Sequence, residues 1–213
     1  MGQNRAMLPP ILIRIYKIVF GSLVVIAIIG QLIYSAQLPT FNPVNFFSFF
    51  TILSNILAAG LLLYVGLLRP KPSRQLDLLR GGTTLYMVIT GVVFALLLSH
   101  IAAALQLTLP WVNAILHQIM PIAVLADWLL DPPRTRITFR RSLAWLVFPL
   151  VYVGYTLLRG PIAHWYPYPF LDPAKVGGYP GVLLYCLGIT LGTLIMSWIL
   201  VQLAALRHRS LRS

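Results

Sequence analysis

Six times along this chain apolar residues run on for about twenty positions with almost no charge among them, and turn-forming or basic residues separate the runs. About 20 apolar residues wound as α-helix cover the roughly 30 Å hydrocarbon core of a bilayer. The runs fall at 15–35, 46–68, 83–104, 110–130, 143–158 and 181–206. They predict an all-α polytopic membrane protein, with 1–213 as one six-helix transmembrane domain and no internal repeat. Composition agrees: 59% of the 213 residues are hydrophobic and only 9% are charged. The first run lacks a small-residue cleavage site and reads as a retained helix rather than a leader.

A net charge of +12 in a soluble chain would point to nucleic acid, but here the basic residues mark topology. Arg5, Arg14 and Lys17 precede or open the first run. Arg69, Lys71, Arg74 and Arg80 lie between the second and third; Arg134, Arg136, Arg140 and Arg141 between the fourth and fifth; Arg207, Arg209 and Arg212 follow the sixth. The opposite side keeps only Arg159 and Lys175. By the positive-inside rule both termini are expected in the cytoplasm, with no nucleic-acid partner. Asp127 and Asp131, close to those arginines, are expected to form ion pairs at the interface. The single cysteine, Cys186, has no partner for an intrachain disulfide and reads as an apolar filler.

The unusual polar residues gather toward the other side. The fourth run carries Asn113, His117 and Pro121 at successive turns of one helix face, and an ionisable side chain at membrane depth is a candidate functional residue. In the second run Ser48, Thr51 and Asn55 share a face. At 1.5 Å per residue, Thr51 and His117 both come to lie roughly 8 to 10 Å below the same boundary, where they can meet. Thr51 then reads as a nucleophile, His117 as its base, and Asn113 or Asn55 as amide donors to an oxyanion. Asp127, about 15 Å further along the helix, is too distant to orient the imidazole, so the expected unit is a dyad. The competing reading makes Thr51 a back-bonding helix residue and His117, Asn55 and Asn113 interhelical glue. The segment 161–180 is dense in prolines and aromatics, and is expected to fold over the bundle as a lid through Tyr166, Tyr168, Phe170 and Asp172, or to serve as an interfacial belt.

Three motifs, FFTILSN at 49–55, LPWVNAILHQIMP at 109–121 and WYPYPFLDP at 165–173, resemble those of the androgen-induced protein and androgen-dependent TFPI-regulating protein family. The resemblance covers nearly the whole chain in the same order, and the short connections and basic tail suggest the bacterial branch. It implies a six-pass intramembrane threonine hydrolase that cleaves lipid esters such as fatty acid esters of hydroxy fatty acids, without a cofactor, in a bacterial cytoplasmic membrane. Carried over by motif, Thr51 is the nucleophile and His117 the base, with Asn113 also matching. Ser54 stands where the animal members have aspartate, which makes it a helper candidate, and Ala58 stands in place of a glutamine. The expected partners are a lipid ester substrate and membrane lipid.

Two further classes are open at this level. A metal-dependent hydrolase would draw ligands from His100, His117, His164 and Asp172, although no dense spacing such as HExxH supports it. A non-enzymatic lipid-binding or transport protein would use the same face as a binding site only.

Overall fold

A computed structural model describes residues 9–100 and 108–210. The described chain is helical, with no strand among those residues. Among the described residues six helices are long and apolar enough to cross a membrane: α1 (Pro10–Ala36), α3 (Phe50–Leu68), α4 (Arg74–Leu98), α5 (Pro110–Leu130), α6 (Phe139–Ala163) and α7 (Tyr179–Leu206). A short helix, α2 (Pro43–Phe47), precedes α3. This is a transmembrane bundle, and its outward side chains are correspondingly apolar: Leu158 is 76% exposed and Leu184 72%.

Local chemistry sets the helix ends. Proline stands at the first turn of α1, α2 and α5, where its missing N–H costs nothing. Asn42 caps α2 by accepting from the Asn45 N–H at 3.1 Å, and Ser73 caps α4 by accepting from the Leu76 N–H at 3.1 Å. Arg69 and His164, both at left-handed φ, close α3 and α6.

Boundaries differ from the sequence reading in instructive places. The second run divides, because the chain breaks at Ser48 and Phe49 between α2 and α3. The third begins at Arg74, not 83, since its polar first turns are buried with partners: Asp77 accepts from the Thr135 N–H at 2.7 Å and its hydroxyl at 2.8 Å. Its expected end at 104 lies outside the described residues, as do Arg5 and Arg212. The fifth extends to Phe139–Ala163, past the hydropathic core at both ends.

Among the described residues three apolar clusters fill the bundle. One joins α1, α3 and α5 through Val24, Ala58, Leu116 and Met120. A second, around Trp128 and Trp145, packs α4, α5 and α7 near the arginine-rich end. The third, at the opposite end, packs Tyr168, Phe170 and Leu171 of the 164–178 connection against Tyr152 of α6 and Val182 of α7.

The acids expected at the interface are inside. Lys17 of α1 pairs with Asp127 and, at 3.1 Å, with Asp131; Arg80 of α4 lies 3.1 Å from Asp127 and 3.2 Å from Asp131. Lys17, Arg80 and Asp127 are 2%, 7% and 6% exposed, so this is a charge-balanced buried cluster that joins three helices, not a solvated pair. Hydropathy averaged over a window does not distinguish the two cases.

Candidate functional site

At the end of the bundle remote from that cluster, the α2–α3 break places Thr51 on the first turn of α3. Three α6 side chains on one helix face hold the joint: the Tyr152 hydroxyl donates to the Ser48 carbonyl at 3.0 Å, the Tyr155 and Ser48 hydroxyls are 3.0 Å apart, and Arg159 donates to Asn45 Oδ1 at 2.6 Å. The Ser48 hydroxyl donates back to the Val44 carbonyl at 2.6 Å. Ser48, grouped by helical spacing with Thr51, is therefore part of the hinge that carries Thr51.

The two expected principals meet. Thr51 Oγ1 is 3.2 Å from His117 Nε2, and His117 Nδ1 is 3.2 Å from the Asn113 carbonyl oxygen. A carbonyl only accepts, so Nδ1 carries the ring proton and Nε2 presents its lone pair to the Thr51 hydroxyl. The side chain of Asn113 has a different place from the one anticipated: its Oδ1 is buried without a hydrogen bond, and it is the backbone carbonyl that orients the ring.

His117 sits in a π-helical turn, Ile115–Ile119. Pro121, four residues on, has no N–H to return to the His117 carbonyl, so the ladder widens at this point. A second π turn, Phe94–Leu98 on α4, brings Phe94 onto the imidazole face, with ring centroids 4.1 Å apart and planes at 23°. Gly91, one turn earlier, lets α4 approach: a Cβ there would lie 3.0 Å from Pro121 Cβ and 3.4 Å from the His117 carbonyl oxygen.

The long connection supplies a third hydroxyl. Tyr168 Oη accepts from the Thr51 N–H at 3.2 Å, one of the first-turn donors that a helix leaves unpaired, and stands 3.4 Å from Thr51 Oγ1. Burial pushes the Tyr168 pKa up, so the hydroxyl keeps its proton. Trp165 and Tyr168 meet the Phe49 ring edge-on at 5.5 and 5.7 Å, and Phe170 stacks on Tyr168 at 5.2 Å. The connection thus lies over Thr51 with Tyr168 and Phe170 turned inward. The other two lid candidates have different places. Tyr166 packs on Gly160, where a Cβ would collide with its ring, and Asp172 caps a turn by accepting from the Ala174 N–H at 3.1 Å.

The remaining helper candidates are committed or remote. Asn55 donates both amide hydrogens, to the Thr51 carbonyl at 2.9 Å and the Leu116 carbonyl at 3.3 Å, so it fastens α3 to α5 and has no N–H left for an oxyanion. Ser54 is fully buried with no hydrogen bond on its hydroxyl. Among the described residues no three His, Cys, Asp or Glu side chains converge as a metal site would require; His100, His164 and Asp172 do not join His117.

Beside Thr51 and Tyr168 lies a cavity of about 90 Å³, lined mainly by apolar residues of α4, α6 and α7. Sequence reasoning missed Phe94, since nothing in FALLL marks one ring as a histidine's neighbour, and it missed the direct contact of Tyr168 with Thr51, because the depth of a connection is not encoded by periodicity. No protein-family model matches this chain, no curated protein is significantly similar to it, and no solved structure matches it.

Proposed function

We propose that this protein is an intramembrane hydrolase of lipid esters, of the kind its three motifs resemble, with Thr51 as nucleophile and His117 as base. The observation that carries the reading is the chain Asn113 C=O···H–Nδ1, Nε2···H–Oγ1 Thr51, set against an apolar cavity. It is the arrangement a weak hydroxyl nucleophile needs: an oriented base within hydrogen-bond reach.

Nε2 takes the Thr51 proton as Oγ1 bonds to the ester carbonyl carbon. The oxyanion that develops receives a hydrogen bond from the Tyr168 hydroxyl and lies at the positive end of α3. Collapse breaks the carbon–oxygen bond to the alcohol, which leaves with the proton from Nε2. Water, deprotonated by the same nitrogen, then attacks the acyl-threonine, releases the acid and returns the proton to Thr51. The positive-inside distribution supports cytoplasmic termini, with the Thr51 end of the bundle at the outer face of a bacterial cytoplasmic membrane.

The test is fluorophosphonate labelling of the purified protein, with the adduct mapped by mass spectrometry. An adduct on Thr51 in the parent, absent from Thr51→Ala and His117→Ala, is expected. A folded, lipid-bound parent that takes no label would leave the lipid-binding reading in its place.

A further inference from the structure

Two hollows meet at one thin wall. The inner one begins at Thr51 and Tyr168, and from Cys186 to Thr193 it follows two turns of α7, roughly 10 Å at 1.5 Å per residue. The outer one is a groove of about 550 Å³ between α4 and α7 on the lipid-facing surface. Ile89 and Val93 of α4 and Ile189 of α7 line both. These three aliphatic side chains are thus common to the chamber beside Thr51 and to the lipid-facing groove.

The groove exists because Gly188 and Gly192 carry no side chain, and a Cβ on either would meet nothing within 4 Å. Thr90, 5% exposed, also lines the inner chamber, and its buried hydroxyl makes no hydrogen bond. A buried donor without a partner in a mainly apolar wall fits a chamber whose usual occupant is a molecule bearing oxygen as well as hydrocarbon.

We infer that the inner chamber is an acyl-chain slot loaded sideways from the bilayer, through the α4–α7 groove, past a gate formed by Val93 and Ile189. The occupant is a single fatty acyl chain, which passes from one apolar medium to another without crossing water. The inference rests on the lipid-ester reading for what happens at Thr51, but not for what the slot holds.

The test uses the full chain in liposomes with palmitic acid that bears a diazirine on its alkyl chain, and maps photoadducts by mass spectrometry. Adducts on the slot-facing peptides around Val153 and Cys186, competed by excess palmitate, are expected. In Gly188→Leu/Gly192→Leu, which fills the groove from the lipid side and adds strong helix formers, those adducts should fall about ten-fold. The ratio of palmitoyl-ester to butanoyl-ester hydrolysis should fall by a similar factor. Adducts confined to the outer surface, or slot labelling unchanged in the filled variant, would overturn the slot. Slot labelling in a parent that cleaves neither ester would uphold the slot and sink the hydrolase instead.

Discussion

The Phe94 ring lies flat against the His117 imidazole, centroids 4.1 Å apart, and closes the ring face that Thr51 and Asn113 leave open. Thr51 and Asn113 fix the imidazole in its own plane, and Phe94 fixes the tilt of that plane. A stacked pair is worth about 0.5 to 1.5 kcal/mol beyond its area. Phe94→Leu should therefore keep the fold and slow fluorophosphonate labelling of Thr51 by about five-fold. An unchanged labelling rate would make the stack packing and nothing more.

Tyr168→Phe removes one oxygen and leaves the aromatic stack with Phe170 intact. If the hydroxyl steadies an oxyanion, ester turnover should drop about a hundredfold in kcat with little change in KM. The melting temperature should move only by the equivalent of about 1 kcal/mol, the worth of one hydrogen bond. A rise in KM alone would make Tyr168 a binding residue.

Gly91 and Gly60 make a matched pair, since both are helical but only Gly91 faces another helix at close range. Gly91→Ala presses on the Pro121 ring, which cannot rotate away, and should cost about 1 to 3 kcal/mol. Gly60→Ala, with open space around it, should gain up to about 1 kcal/mol from helix propensity. Thermal unfolding in detergent measures both, and equal shifts would contradict the α4–α5 approach described above.

Within the charge cluster, Asp127→Asn removes a carboxylate shared by Lys17 and Arg80 and should destabilise by about 3 to 5 kcal/mol. Lys17→Met combined with Asp127→Leu removes a charge of each sign and should recover part of that loss. A double variant no more stable than Asp127→Asn would show that the pair does more than compensate its own burial.

Acid should find the same cluster. Burial alone would raise the Asp131 pKa, but Arg80 and Lys17 beside it reverse the effect and hold it below the ordinary carboxylate value. A carboxylate depressed in the folded state contributes stability above its unfolded pKa of about 3.9, and loses that contribution as pH falls through the lower folded value. For this group the melting temperature should be flat from neutral pH down to about 5 and should decline below about 4. Asp131→Asn should flatten the acid limb.

How far the sequence alone reaches depends on which interactions are local. The six membrane helices were legible because an apolar run of bilayer length has few alternatives. The level of Thr51 and His117 followed from rise per residue and from their shared side of the bundle. What escaped was non-local. The α2–α3 break is enforced from α6 by Tyr152, Tyr155 and Arg159, about a hundred residues away, and no period in FNPVNFFSFF announces it. Asn55 looked like a spare amide because its two carbonyl partners become visible only when α3 and α5 are packed. The third helix outruns its apolar stretch because Asp77 and Arg80, though charged, are buried with partners on other elements.

The cations of the buried cluster lie on α1 and α4, and their acids, Asp127 and Asp131, at the carboxyl end of α5. During synthesis the first and third membrane helices are complete while Asp127 and Asp131 are still untranslated. Lys17 and Arg80 therefore meet these two carboxylates only once the fourth membrane helix is made. A truncated product that ends before residue 127 lacks both carboxylates that join α1 to α4 in this cluster.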